Sequence, residues 1–478
     1  MKPADFLVLD NDASEPLYRQ IYARFRSAIA GGLLLPGARI PAARALALEL
    51  GLARGTVEAA YALLNAEGYT ETRGQAGTVI TPALASLAPG QAPVPAAPPP
   101  AAATAEELPS YTRPFQMGVP ALDAFPRKVW ARLAARSIRA TQAEDMIYPP
   151  AAGLPALRAA IATYLRLARG IHCAPAQVFI TSGYRGSLEL VTRALLAPGD
   201  AIWIEDPGYP PTGALLEQAG MLLAPVPVDG DGIDPARGEE TAPEARAAVV
   251  TPAHQSSLGV SLSLPRRLAL LDWGARSQAW IIEDDYDGEY RYVSRPLPAL
   301  QSLDRAGRVL YAGTFSKVLF PALRLAYLVV PPEQAARFDV VSQISGGGGP
   351  ALTQAIVADF MAEGHFARHI QRMRRLYAER RALTAAGLAQ VLSPRVRIAP
   401  QPGGMHLLLQ LPDAAPGADA ALAARMRADG MAAHALSERA MQCPHPPALL
   451  LGFTNIPSQE RAVELGRRIL ALMHGPVG

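Results

Sequence analysis

The sequence predicts an α/β protein in two parts: a small N-terminal domain of three helices and a hairpin, then a large domain on a mostly parallel sheet. Three observations carry this. Beyond residue 112 the apolar runs VFI (178–180), AIWI (201–204), AAVV (247–250), WII (280–282), RVLYA (308–312) and LAYLVV (325–330) alternate with helical stretches, as buried strands joined by crossover helices do. Before residue 83, three apolar stripes at helical spacing precede two short β-prone runs. Between them ALASLAPGQAPVPAAPPPAAATAEELPSYT (83–112) has no hydrophobic periodicity and is dense in Pro and Ala, so it reads as a semi-extended spacer. At 478 residues the chain is too long for one ordinary core, and the divisions fall at 10–82, 83–112 and 113–478.

In the first domain Ser14, Glu15 and Pro16 mark a helix start, and LYRQIYARFRSAIAGG sets Tyr18, Ile21, Phe25 and Ile29 along one stripe until Gly31 and Gly32 end it. PAARALALELG gives a second helix with Ala43, Leu46 and Leu50 inward and Gly51 as its stop. After the step LARG, TVEAAYALLNAEG turns Val57, Tyr61 and Leu64 inward, and YTETR and GTVI flank the turn GQAG. That is the order of a winged helix-turn-helix. Such a fold would present Arg54 and Thr56 to base edges and phosphates of double-stranded DNA, with Arg44 and Arg73 bracing the backbone. Residues 1–82 hold eight basic and eight acidic side chains, yet Pro16 to Val57 holds six arginines against Glu49 alone. Three helices are also a common packing unit, so the pattern by itself leaves both readings open.

The large domain turns on a lysine. Only Lys2, Lys128 and Lys317 occur among 45 basic residues, and Lys317 stands in YAGTFSKVLF. Bonding to an aldehyde needs an unprotonated amine, which a desolvated lysine supplies and arginine does not. The turns TSGYRG, EDPGYP, TPAHQSS, EDDYDGEY and GTFSK follow strands, and ligands of open α/β sheets collect beyond the carboxyl ends of strands. For pyridoxal 5'-phosphate, Asp284 would keep the ring nitrogen protonated. Ser182, Gly183 and Tyr184 would form a phosphate loop, with hydroxyls from Thr314 and Ser316 and a bidentate cation from Arg324. Tyr209 and Tyr286 suit an aromatic lid and a donor to the phenolic oxygen. Each is ordinary alone: a Lys after T-F-S is commonly a solvated loop residue, and an Asp there commonly caps a helix. Their order along the chain is what points to the cofactor. No metal site is read.

The run LPGARIPAARALALELGLARGTVEAAYALLNAEGYTETRGQAGTVI resembles the GntR-type winged helix-turn-helix over nearly its full length. Residues 113–478 resemble fold-type I, pyridoxal-phosphate-dependent aminotransferases, with Tyr148 of YPPAAGLPALRAAIATYLRLARGI at the position that reaches the partner subunit's phosphate site. The pairing resembles the MocR subgroup of bacterial transcription regulators, whose wording is close to TPAHQSSLGVSLSLPRR and AEGHFARHIQRMRRLY. The resemblance implies a head-to-tail homodimer, operator DNA as partner, and a small-molecule effector that is the cofactor vitamer or an amine.

The chain departs from that family where a substrate carboxylate is held. The usual Arg three residues before the Phe of the G-F element is Leu450 in ALLLGF, and the Arg found after P-G-Y in amino-acid-responsive members is Pro211 in PGYPPTG. Each lost clamp removes contacts worth about 1.5–3 kcal/mol, which disfavours an ordinary amino-acid effector and efficient transamination. It favours a sensor of the cofactor that regulates vitamin B6 supply, with an amine lacking a carboxylate, or a sulfonate, left open. The bulky pair Tyr184-Arg185 enters the phosphate loop, and Ser257 replaces a Pro in HQ-x-P-x-G. Arg185 either binds an anion or pairs with a carboxylate; His254 and Gln255 either flank the ring or only shape their loop. Three readings follow: a cofactor-dependent regulator, an aminotransferase with an appended DNA-binding domain, or a cofactor-free dimerisation scaffold. The absent clamps speak against the second and the retained Lys317 against the third. No apolar run approaches the roughly 20 residues that span a bilayer, the N-terminus lacks a signal core, and Cys173 and Cys443 cannot build a disulfide framework; a cytoplasmic protein with no membrane partner is expected. A net charge of +3 does not by itself announce a nucleic-acid binder.

Overall fold

The computed structural model describes residues 7, 9–10, 15–74, 77–83, 112–292, 298–399, 401 and 403–474. Ser14, the hairpin tip at 75–76 and all but the end residues of the spacer lie outside these. The chain divides into two compact units, Met1–Leu108 and Pro109–Gly478.

In the first unit, α1 (Leu17–Ala30), α2 (Ala43–Leu50) and α3 (Arg54–Ala66) precede an antiparallel pair, β1 (Thr70–Thr72) and β2 (Thr78–Ile80). Ile21, Phe25, Leu46, Val57, Leu64 and Ile80 are fully buried together. Phe25 meets Tyr61 edge-on at 5.6 Å, and the Tyr61 hydroxyl donates to the Pro41 carbonyl at 3.0 Å, tying α3 to the start of α2. Gly51 ends α2 with φ +67, a left-handed conformation glycine adopts without a Cβ penalty. The helix after the turn opens at Arg54 rather than at Thr56, so Arg54 and Gly55 belong to its first turn.

In the second unit all six apolar runs are strands: β3 (Val178–Thr181), β4 (Ala201–Asp206), β7 (Ala247–Val250), β8 (Trp280–Asp285), β9 (Val309–Thr314) and β10 (Ala326–Val329). Two more, β5 (Leu222–Asp229) and β6 (Gly232–Ile233), complete an eight-stranded sheet in the order β3-β10-β9-β8-β7-β4-β5-β6. Neighbours from β9 across to β5 are parallel, while β10 runs antiparallel to both β3 and β9. The strand β5 escapes a sequence reading because it is written LLAPVPVD. Pro225 and Pro227 cannot donate to a ladder, and beyond them β5 has only the two-residue β6 as neighbour, paired at Val228 and Asp229. A second sheet, all antiparallel, holds β11 (Arg397–Ala399), β12 (His406–Gln410), β13 (His434–Ala435) and β14 (Ala448–Gly452) in the order β11-β12-β14-β13. Leu409, Leu451, Phe453, Tyr377 and Leu465 form its core with the long helix His365–Leu392 and the helix Gln459–His474. No helix among the described residues is long and apolar enough to cross a membrane.

Strand alternation sorts the carboxylates at the end of β8. Successive side chains point to opposite faces, so Asp284 lines the cavity described below and Asp285 turns away from it. Asp285 pairs with the buried Arg169 and accepts from the Tyr311 hydroxyl at 2.5 Å. Arg169 also donates to the Gly288 carbonyl at 3.1 Å, bracing the turn that follows β8. Removing one member of a buried ion pair leaves an uncompensated charge, at a cost of about 3–5 kcal/mol. Asp285→Ala should therefore lower the thermal unfolding temperature markedly, and adding Arg169→Met should recover much of the loss.

Candidate functional site

The carboxyl ends of β3, β4, β8 and β9 open on a cavity of about 600 Å³. Gly183, Tyr184, Tyr209, Asp284, Tyr286, Thr314, Ser316, Lys317 and Arg324 all line it, so the structure brings together nine of the residues singled out from the sequence. Two are not brought in: Ser182 is exposed beside the loop, and Tyr148 is 98% exposed, away from the cavity walls of its own chain.

Lys317 follows β9 directly. Its Nζ donates to the Gly118 carbonyl at 2.9 Å, and its own carbonyl accepts from the Tyr290 hydroxyl at 3.3 Å. Burial lowers the amine's pKa, while Asp284 and then Asp287 oppose the fall. Gly118 is a site residue the sequence reading missed. Its φ is +67, in the left-handed region that favours glycine, and a Cβ there would crowd the Lys317 Nζ. Nothing in FQMGVP marked this, because the contact spans 199 residues of chain. Asp287, also missed, lines the cavity while 1% exposed.

Asp284 is 8% exposed and accepts no hydrogen bond among the described residues. Burial above all pushes its carboxyl up to about 8, Glu205 and Asp287 adding to the rise and Lys317 opposing it. Gly183, at φ +102, caps the helix Tyr184–Leu195, whose first amides have no partner within the helix. The bulk of Tyr184 is accommodated by turning its ring inward, where the hydroxyl meets the Thr212 hydroxyl at 2.9 Å. Arg324 lies at φ +49 after the turn Pro321–Leu323, a conformation that costs a non-glycine residue of order 1 kcal/mol or more and here aims an exposed arginine at the cavity.

His254 and Gln255 are both buried, and neither lines the cavity. His254 Nδ1 lies 2.9 Å from the Tyr286 hydroxyl and 3.2 Å from Asp287, behind the cavity wall. Gln255 shapes its loop: its amide donates to Glu205 and the Pro207 carbonyl, and its oxygen accepts from Ser257 N and Leu258 N. Ser257, in the place of a proline, donates to the Gly208 carbonyl at 3.0 Å. Leu450 is fully buried against Leu408, Leu436 and Met117, and Pro211 is the second residue of the helix Pro210–Gln218. Arg185 is exposed at the cavity and enters no ion pair among the described residues.

In the first unit Arg44, Arg54 and Arg73 are exposed and Thr56 is half-buried in the first turn of α3. Arg54 pairs with Glu58 at 2.7 Å and Arg73 with Glu71 at 2.5 Å. Exposed pairs of this kind are worth about 0–1 kcal/mol, so a phosphate can displace the carboxylate. Arg39, not singled out from the sequence, lies exposed with its guanidinium against Gly77 of the hairpin.

Comparison with known proteins agrees with both units. Residues 17–80 match the family of bacterial regulatory proteins of the gntR type, and residues 115–446 match aminotransferase class I and II. The chain is 40% identical over 463 residues to the "Probable rhizopine catabolism regulatory protein MocR" of Rhizobium meliloti, covering 94% of this chain and 92% of that one. It is 35% identical over 390 residues to the HTH-type pyridoxine biosynthesis transcriptional regulator PdxR of Corynebacterium glutamicum, covering 82% of each. The α-aminoadipate aminotransferase of Thermus thermophilus, solved with N-(5'-phosphopyridoxyl)-L-leucine, superposes with a TM-score of 0.67 at 28% identity, covering 75% of this chain and 92% of that one. The fold is thus a helix-turn-helix region joined to a fold-type I aminotransferase-like domain. The chain belongs to the MocR-type, GntR-family transcriptional regulators.

The buried acid makes a pH-dependent prediction. In cofactor-free protein Asp284 keeps its proton up to about pH 8, whereas the unfolded chain releases it near 3.8. The stability this difference contributes is present below the unfolded value and is lost as pH rises through the folded one. Asp284→Asn cannot ionise, so its unfolding temperature relative to the parent should rise steadily between pH 4 and pH 8.5. A pH-independent difference would show that burial does not hold the proton there.

Proposed function

We propose that the protein is a DNA-binding transcription regulator whose aminotransferase-like domain holds pyridoxal 5'-phosphate on Lys317 and responds to the cofactor itself or to a small amine. The observation that carries this reading is a desolvated lysine amine and a buried, hydrogen-bond-free carboxyl in one cavity. The residues present fit the group. Asp284 lacks a cationic partner of its own other than Lys317, and a protonated ring nitrogen would supply one. The amides after Gly183, the hydroxyls of Thr314 and Ser316 and the Arg324 guanidinium suit a phosphate dianion. Tyr209 and Tyr286 would cover the ring and donate to its phenolic oxygen. When bound, the cofactor supplies an aldehyde that reacts with amines and an electron-withdrawing ring.

The chain's own residues do the rest. Gly118 and Tyr290 fix the lysine, burial keeps its amine ready to lose a proton, and His254 orients Tyr286. Leu450 and Pro211 leave out the two usual carboxylate clamps, which supports a sensing role over efficient transamination. The named functions of the relatives, regulation of rhizopine catabolism and of pyridoxine biosynthesis, frame the choice between an amine and the vitamer as effector. Tyr148, open to solvent in its own chain, suits a head-to-tail homodimer in which it reaches the second phosphate site. Arg44, Arg54, Thr56 and Arg73 would meet operator DNA, and a change at the cofactor would bias the dimer between two arrangements of its DNA-binding domains.

Gel shifts on DNA upstream of the protein's own gene test this, with and without pyridoxal 5'-phosphate, for the parent and Lys317→Ala. Affinity or footprint should change with cofactor for the parent alone. An identical response of both proteins would overturn the sensing role of Lys317.

A further inference from the structure

The amine that would carry the cofactor already holds a piece of backbone. We propose that the hydrogen bond from the Lys317 Nζ to the Gly118 carbonyl is a latch that pyridoxal 5'-phosphate releases. The latch fastens residues 113–121, by which the spacer enters the second unit, to the end of β9. This rests on the reading of Lys317 as the cofactor lysine, and goes on to name how that site is coupled to the segment leading to the DNA-binding unit.

On either side of Gly118 the stretch is fastened to the second sheet and its helices. Ala432 N donates to the Pro114 carbonyl at 2.8 Å and Gly452 N to the Phe115 carbonyl at 2.9 Å. The Asn455 amide donates to the Arg113 carbonyl at 2.6 Å, the Thr454 hydroxyl to the Val119 carbonyl at 2.5 Å, and Ala121 N to the Tyr377 hydroxyl at 2.9 Å. Met117 packs with Leu408 and Leu450 of the same sheet. Gly118 turns the other way, its carbonyl accepting from Lys317 Nζ at 2.9 Å. The lysine's own backbone is fixed: the Tyr290 hydroxyl donates to the Lys317 carbonyl at 3.3 Å, and the buried His369 Nε2 lies 2.9 Å from the Val318 carbonyl. The side chain is thus a tether between a fixed strand end and a separately anchored stretch.

The tether and the bond to the cofactor exclude each other. The ammonium gives one proton to solvent, a loss that burial favours. The neutral amine adds to the aldehyde carbon, a C=N bond forms, and the aldehyde oxygen leaves as water with the two amine hydrogens. A nitrogen so bonded holds at most one proton, regained from solvent, and the cofactor's phenolic oxygen beside it accepts that proton. No N–H remains for the Gly118 carbonyl, and residues 116–118 lose their hold on β9. Because 113–121 follow directly on the spacer at 83–112, the released stretch is covalently continuous with the segment that leads to residues 17–80. A contact present in one state of Lys317 and absent in the other supplies the differential interaction by which a ligand shifts an equilibrium.

The test compares two substitutions that both prevent the covalent bond. Lys317→Arg keeps an N–H donor for Gly118, whereas Lys317→Met has none. Hydrogen exchange of the peptide spanning 113–121 is followed in full-length protein, the variants without cofactor. It should be about fivefold or more faster in the loaded parent and in Lys317→Met than in the cofactor-free parent and in Lys317→Arg, with β9 unchanged in all four. Gel shifts on DNA upstream of the protein's own gene should sort the proteins into the same two pairs. Equal exchange in the two variants, equal loosening of β9, or a loaded parent whose 113–121 peptide is no faster overturns the latch. Faster exchange without that sorting on DNA overturns its coupling to the DNA-binding unit. A parent that takes up no cofactor sinks the Lys317 reading instead, and the comparison of Met with Arg, which needs no cofactor, still decides the latch.

Discussion

The second unit is organised around one desolvated amine. Lys317 sits where a strand end, a glycine backbone and two carboxyls meet, and its hydrogen-bond partner is a neutral carbonyl rather than an acid. A direct salt bridge would fix the proton on the amine; a carbonyl leaves it removable. The constraint propagates outward. Gly118 takes a left-handed backbone beside the amine, the Tyr290 hydroxyl reaches the lysine carbonyl, and β8 ends with one aspartate facing the cavity and the next facing away.

The carboxyls around the site fall into two sets with different physical meaning. Glu205 is satisfied by Thr251 and Gln255, Glu283 by the amides of Leu300 and Gln301, and Asp206 by three consecutive amides. These acids hold loops in place, the usual role of a buried polar group that has its hydrogen bonds. Asp284 accepts none among the described residues, and neither oxygen of Asp287 does. Unsatisfied acids are costly unless a ligand completes them, which separates the binding residues from the scaffold more sharply than their positions in sequence do.

Much of this was legible in the sequence because it is local. Strand runs, the turns after them and the T-F-S-K and D-x-Y spacings are written within a few residues, and the structure gathers those side chains in one cavity. Three kinds of feature were not legible. The strand β5 hides behind Pro225 and Pro227, whose missing amides are harmless because β6 pairs with β5 only beyond them, at Val228 and Asp229. Gly118 matters only through a contact 199 residues away. Arg439 lines the cavity from a loop far along the chain from Lys317, and nothing beside it in sequence marks it. In the DNA-binding unit the helical stripes were readable, whereas the pairing of Arg54 with Glu58 and of Arg73 with Glu71 depends on rotamers.

The most direct test of the central claim is chemical. Protein incubated with pyridoxal 5'-phosphate, reduced with borohydride and digested should yield one peptide carrying a phosphopyridoxyl mass, and fragmentation should place it on Lys317. A label on Lys2 or Lys128, or no label on any lysine, would contradict the account.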